Sequence, residues 1–392
     1  MLKLLHTSDW HLGKVFKETT FNLLDIQKLI LYEILKIAEI EKPDIVLIAG
    51  DIFDTYTPSF EAEKVFYSSV ADLSARGSLV IALAGNHDSP EKLLISRPLI
   101  DGKHPIIIIS DPAEDFSNYN FENESFRISI ERDFFKILIK NKNLVVAVKA
   151  IPYVSEVRTG LNTEVFLNRV KEIMSPEPGF TCDYFIFSSH IYIQGAQISG
   201  SERILQIGGI DYLPLEILPE NADYIALGHL HRYQKIGKAV YSGSIYPFDI
   251  GEITHKKGVC VFEGENEKFI EFENKNIPKI IKLEFETIED AINGIPDGDN
   301  PCYVIIKSNR EYSPSDIDRF LKTYKQRLIK WRFDIEQSEE DIPNIDVSSL
   351  TDEQIFIEYF RSKISIQPDR QTISMFLKCL EETRNATNQS LY

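Results

Sequence analysis

The feature that most constrains this chain is an alternation within its first 88 residues. Short apolar runs that end in polar side chains take turns with segments of helical periodicity. LKLLHTSD (residues 2–9) has the form of a buried strand delivering its end to a polar site. Leu23, Ile26, Ile30, Ile34 and Ile37 then recur at helical spacing until Pro43 stops the pattern. DIVLIAGD (44–51) is a second strand, Glu61 to Ala75 a helix, and LVIALAGNHD (79–88) a third strand running into a loop. The β-α-β-α-β order predicts a parallel sheet covered by helices, an α/β fold class.

Farther on, FFKILIK and LVVAVKAIP, joined through Asn141-Lys142-Asn143, predict a hairpin. DYFIFSSH (183–190) and DYIALGHLH (223–231) are two more strands, both ending in histidines, and β-rich chain continues through VYSGSIYP and GVCVFEG. The texture then changes. KIIKLEF, IEDAING, CYVIIKS, a helix over Pro314 to Leu328 opened by Ser313, and IKWRFDIE predict a small α+β domain. After the acidic stretch 337–341, Thr351 and Gln354 form a capping box. Phe356 with Phe360, and Ile373, Phe376, Leu377 and Leu380, mark two amphipathic C-terminal helices. The expected division is 1–272, 278–338 and 348–392.

At 392 residues the chain exceeds one small module, and 43% hydrophobic content supplies a sizeable core. A formal charge of -17 argues against nucleic-acid binding through bulk positive charge; it leaves local basic patches or bound cations. Cys182, Cys260, Cys302 and Cys379 are scattered without a C-x-x-C pair, as expected of small core residues in a reducing cytosol. No apolar run approaches the roughly 18 residues of a membrane span. The opening MLKLLHTSDWHLG turns polar too quickly for a signal peptide. The expectation is a soluble, cytoplasmic protein.

The histidines narrow the function. Five polar clusters sit where predicted strands end: Asp9-Trp-His11, Asp51-Ile-Phe-Asp54, Asn86-His87-Asp88, Ser-Ser-His190 and His229-Leu-His231. In a parallel α/β sheet such ends line one crevice. Residues two apart in extended chain point to the same side, so Asp9 with His11, and His229 with His231, can each present a pair of ligands. Asp9, His11, Asp51, Asn86, His190, His229 and His231 together exceed the needs of one tetrahedral ion; two ions sharing Asp51 use them economically. A thiolate-free set of oxygen and imidazole suits Mn, Fe or Zn, and Mg less well. Two divalent cations against two carboxylates leave about +2, enough to attract a phosphodiester to an acidic protein and to lower the pKa of a bridging water toward ~7. His87 adjoins Asn86 and cannot easily share its ion, which frees its imidazole to protonate a leaving oxygen. Asp54 is the natural group to orient it.

These residues carry a resemblance. D-x-H, GDIFDTYTPS, GNHDS, an isolated histidine and GHLH, in that order, resemble the calcineurin-like metallophosphoesterase superfamily. SDWHLGK, SSHIYIQGA and DYIALGHLHRYQKI…YSGSIYPFDIGE are similar to its SbcD nuclease branch. The resemblance covers roughly residues 1–265 strongly. It implies a four-layer α/β/β/α domain with a small α+β cap and a helical tail. It implies one ion on Asp9, His11, Asp51 and His231, a second on Asp51, Asn86, His190 and His229, and His87 as the catalytic histidine supported by Asp54. It further implies a preference for Mn, 3′→5′ double-strand exonuclease and single-strand endonuclease activities, and a homodimer within a heterotetramer. The partner would be an SbcC-type ABC ATPase whose coiled coil docks on the C-terminal helices. Tyr233 departs from the proline the family often has there, in a place outside the ligand set.

Lesser signals divide more evenly. Lys322, Lys325, Arg327, Lys330 and Arg332, interleaved with Tyr324 and Trp331, read either as a DNA-phosphate contact or as a solvated face. His6 is expected to pack near the first strand's end rather than to ligate. His104 and His255 are expected in solvated loops.

Overall fold

The computed structural model describes residues 1–16, 19–95, 104–112, 120–154, 170, 172–174, 178–202, 212–296, 298–308, 312–324, 327–334, 351–364, 368–370, 372–378 and 380. Lys325, Cys379 and the acidic stretch 337–341 lie outside them. Residues 1–334 form one compact unit and residues 335–392 another.

The first unit opens with β1 (Lys3–Thr7), a short hairpin of β2 (Val15–Phe16) and β3 (Phe21–Asn22), helix α1 (Leu24–Glu41), β4 (Ile45–Ala49), helix α2 (Phe60–Ala75), β5 (Leu79–Leu83) and β6 (Ile106–Ile109). A second run follows: β7 (Asn120–Glu122), β8 (Phe126–Glu131), β9 (Phe134–Ile139), β10 (Leu144–Ile151), β11 (Tyr184–His190), β12 (Tyr224–Gly228), β13 (Gln234–Ile236) and β14 (Ala239–Tyr241). Then β15 (Gly258–Glu263) and β16 (Asn266–Glu271) return to the first sheet. Its order is β16-β15-β1-β4-β5-β6, with β1, β4, β5 and β6 parallel. The second sheet runs β13-β14-β12-β11-β10-β9-β8-β7, with β10, β11, β12 and β14 parallel. Continuous apolar runs in these strands have a plain cause: both faces are covered. Leu4, Leu47 and Ile81 point into the layer between the sheets, against Val146, Ile186 and Ala226. Leu5, Val46 and Val80 point the other way, against Ile30, Ile34 and Phe66 of α1 and α2. On the far side of the second sheet, Phe185, Phe187 and Leu227 pack with Val170 and Met174. The layers succeed one another as helix, sheet, sheet and helix.

The small α+β element also has its own sheet, β17 (Ile281–Phe285), β18 (Cys302–Ile306) and β19 (Leu328–Phe333), all parallel. Helices Ile288–Asn293 and Pro314–Tyr324 close its core through Ile288, Ala291, Phe320 and Tyr324. Ser313 Oγ accepts from the Asp316 amide at 3.3 Å, capping the second helix as expected. That helix stops short of the expected Leu328, which instead pairs with Cys302 and opens β19. Ladder pairing overrides the helical periodicity there.

In residues 335–392, helix Asp352–Ile364 carries the capping box: the Gln354 amide reaches Thr351 Oγ1 at 3.3 Å, and Gln354 Oε1 accepts from the Thr351 amide at 3.0 Å. The two apolar stripes meet within this unit, with the rings of Phe356 and Phe376 stacked 4.0 Å apart. Among the described residues no helix is long and apolar enough to cross a membrane.

Candidate metal centre

The carboxyl ends of β1, β4, β5, β11 and β12 converge, because the first sheet packs face to face on the second. The loops that leave them are forced into unusual backbone. Asp9, His11, Asp51 and His229 have φ of 51°, 44°, 48° and 98°, a region that costs an L-residue roughly 1–2 kcal/mol each. Gly50 has φ +89°, and a Cβ there would strike the His190 ring. The chain is bent to aim side chains inward, and Gly50, packed against the His190 ring, has none.

All seven sequence-selected ligand candidates are buried in one cluster. Ligand atoms of Asp9, His11 and His231 lie within 4.8 Å of one another, as do those of Asp9, Asp51 and His190. Asp51 Oδ2 stands 3.4 Å from His11 Nε2 and 3.4 Å from His190 Nε2. Asn86 Oδ1 lies 3.0 Å from His190 Nε2 and 3.0 Å from His229 Nδ1. Asp9 accepts from the His229 amide at 3.1 Å and from Ser8 Oγ at 2.5 Å.

The residues present fit divalent metal. His190 donates its Nδ1–H to the Ala49 carbonyl at 2.8 Å, which turns its Nε2 lone pair toward Asn86 and Asp51. His231 Nδ1 faces Glu252 at 3.0 Å, leaving its Nε2 3.2 Å from His11 Nε2. Lone pairs crowded this closely repel unless a proton or a cation lies among them. In the metal-free protein protons do that work. Burial pulls His190 down, but the charges of Asp51 and Asp9 more than offset it and hold the ring at about 9. Burial lifts Asp9 to about 6. Burial also opposes the charge on Asp51, yet His190 and His11 keep its carboxyl well below the ordinary range. Burial leaves His11 at about 4 and His229 at about 3, hence neutral and ready to ligate.

His87 lies beside this cluster, its ring 4.7 Å from that of His11. Its Nδ1 donates to Asp54 at 2.8 Å, but to the main-chain carbonyl, not to the carboxylate expected from sequence. The Asp54 carboxylate goes instead to Lys14 Nζ at 2.9 Å and faces His11 Nδ1 at 3.4 Å, with an oxygen still within 4.8 Å of a His87 ring nitrogen. Burial disfavours its charge, but those two neighbours hold it below the usual range. Three supporting residues escaped the sequence reading. Asp88 accepts from the amides of Ile52, Phe53 and Gly85 at 3.0, 2.8 and 2.7 Å, tying the Asp51 loop to the Asn86 loop. Glu252 holds His231, and Lys257 holds Glu252. All three stand inside or next to quoted motifs, and their burial was the missing signal.

The basic stretch does not present one face. Arg327 spends its guanidinium on the carbonyls of Asn300 and Pro296 at 3.0 and 2.6 Å, and Tyr324 is buried with its hydroxyl on the Ala291 carbonyl. Trp331 packs on Phe320. Lys322 and Arg332 are exposed, and half-buried Lys330 stands 3.8 Å from Asp249. His6 is buried with Nδ1 3.1 Å from Tyr224 Oη, and His104 is exposed, both as expected. His255 is half-buried rather than solvated.

A family model of calcineurin-like phosphoesterases matches residues 2–233. The chain belongs to that family. Within it, the chain is 28% identical to the D component of the SbcCD nuclease of Bacillus subtilis, over 96% of this chain and 97% of the relative. The corresponding SbcCD component of Staphylococcus epidermidis is 30% identical over 69% of this chain and 68% of its own length. That of Staphylococcus saprophyticus is 28% identical over 92% and 93%. This phosphoesterase therefore groups with the SbcD proteins.

Proposed function

We propose that this phosphoesterase is a two-metal DNA nuclease that works with an SbcC-type ABC ATPase in recombination and repair. One observation carries the reading: Asp51 Oδ2 lies equally far, 3.4 Å, from ring nitrogens of His11 and His190, between two groups of donors. Asp9, His11, Asp51 and His231 would hold one ion, and Asp51, Asn86, His190 and His229 the other. When bound, a pair of divalent ions, Mn first among those this donor set suits, supplies Lewis acidity toward a phosphodiester and acidifies a water toward neutral pH. His87 gives its Nδ1–H to a fixed carbonyl, which leaves Nε2 as the nitrogen that takes up a proton from solvent and, as imidazolium, would hand it to the leaving oxygen. The strained loops keep the donors in place before substrate arrives, so little reorganisation is needed at the moment of reaction.

The substrate class rests on the relatives' printed name and on the site's spare positive charge. The finer activities, 3′→5′ exonuclease on duplex ends and endonuclease on single strands and hairpins, belong to the same proposal. Residues 278–338 would act as a cap, with Lys322, Lys330 and Arg332 as its DNA contacts. Residues 348–392 would dock the ATPase. A homodimer inside a heterotetramer, and a cytoplasmic location, complete the reading.

The test is Mn-dependent cleavage of linear and hairpin DNA, with and without the ATPase and ATP, by wild type and His87→Ala. The variant should retain both metals and lose turnover by about 10²–10⁴-fold. Wild-type cleavage by the variant removes His87 from the chemistry. Hydrolysis of a nitrophenyl phosphomonoester without any cleavage of DNA removes the nuclease reading.

A further inference from the structure

Two of the site's imidazoles are held by main-chain carbonyls: His190 by Ala49 and His87 by Asp54. His231 is held differently, by a charged side chain. Glu252 is 0% exposed and places Oε1 3.0 Å from His231 Nδ1, with Ser201 Oγ bonded to both. Its other oxygen takes Lys257 Nζ at 2.7 Å and Ser244 Oγ at 3.2 Å. Lys257 is itself buried, and its remaining hydrogens go to the His231 carbonyl at 2.9 Å and Ser244 Oγ at 2.7 Å. The ion pair thus grips His231 at both its ring and its backbone.

Burying such a pair brings a desolvation penalty that an apolar pair of similar volume would avoid. A compensating role is available in the chemistry of the ring. A carboxylate on Nδ1–H fixes the tautomer, so that the Nε2 lone pair points at Asp9 and His11, and it makes that nitrogen a stronger donor than a carbonyl would. Lys257 in turn keeps Glu252 charged and in place without reaching the donor cluster.

We propose that Glu252, balanced by Lys257, is the positioning residue of the subsite formed by Asp9, His11, Asp51 and His231, and sets the affinity of that subsite alone. The inference rests on the metal-centre reading above. Glu252 meets His231 at Nδ1, away from the Nε2 that would ligate, and Lys257 meets Glu252, so both would act through His231.

Metal-free wild type, Glu252→Gln, Lys257→Met and the double variant are titrated with Mn²⁺ by calorimetry, and each is melted without metal. Wild type should take up two equivalents. Glu252→Gln should weaken one of them by about 10- to 100-fold and leave the other unchanged. The double variant buries neither charge, so its melting temperature should return toward wild type while the weak site stays weak. Recovery of affinity together with melting temperature would reduce the pair to structural glue and overturn the proposal, as would an unaltered titration of Glu252→Gln. Should Glu252→Gln not fold, Glu252→Asp, which pulls the carboxylate back by one methylene, takes its place with the same expected loss at one site. If wild type itself binds no Mn²⁺, the failure lies in the metal-centre reading, which this inference shares.

Discussion

Replacing Asp88 with alanine tests whether the site's two central loops are pinned together as described. The side chain is 0% exposed, and its carboxylate receives three amides, those of Ile52, Phe53 and Gly85. Stranding three buried N–H groups costs about 2 kcal/mol each, roughly 6 in all. Against this stands the cost of the charge itself. Burial, then the nearby Asp51 carboxylate, lifts Asp88 to about 6 from 3.8. Ionising it in the folded protein at neutral pH therefore costs about 3 kcal/mol, which alanine escapes. The net loss near pH 7.5 is about 3 kcal/mol. With an unfolding entropy of roughly 2 cal/mol/K per residue over the 334-residue unit, that is about 4 °C in melting temperature. The pH dependence is the sharper part. The folded state holds the Asp88 proton more tightly than the unfolded chain does. Stability from this group is therefore full below about pH 4 and is lost as pH rises through about 6. The gap between wild type and Asp88→Ala should consequently widen, by about 1–1.5 kcal/mol, on going from pH 7.5 to pH 5. Melts followed by circular dichroism on chelator-stripped protein at several pH values measure it. Equal melting temperatures, or a gap that narrows as pH falls, would refute the clamp.

Three further expectations concern the same centre and the tail. His190 is held at about 9 in the metal-free protein, so its imidazolium stabilises the fold fully below about pH 6.5, and that contribution is lost as pH rises through about 9. Mn²⁺ must displace that proton. Affinity should rise about tenfold per pH unit between pH 7 and 9 and then flatten, with one proton released in calorimetry; a flat profile contradicts it. Gly50→Ala puts a methyl group against the His190 ring on backbone with φ +89°. It should cost about 2–4 kcal/mol and one equivalent of metal, read from melting and metal analysis; an unchanged metal content refutes the close packing. Removing residues 335–392 should leave the first unit folded with both metals, since the two units are compact separately, while abolishing co-purification with the ATPase; retained co-purification rules out docking there.

The strands and helices of the catalytic half were legible because their periodicities differ and because strands covered on both faces must be apolar throughout. The candidate ligands were legible for a related reason: Asp9, His11, Asp51, Asn86, His190, His229 and His231 are polar groups at the ends of apolar runs, where local pattern alone marks them. What only the tertiary structure decided was the supporting cast and its directions. Glu252 and Lys257 look like any surface charge in sequence, and Asp88 like one more polar member of its cluster; burial and folding give all three their partners. Asp54 stands three residues after Asp51, as read from sequence, but which of its oxygens meets His87 depends on where Lys14 and His11 sit. The same holds for Arg327, whose guanidinium was spent on carbonyls around residue 300 once β18 and β19 came together. Local pattern fixes which groups are present; long-range packing fixes what each one faces, and a hydrogen bond has no sequence signature until both ends are in place.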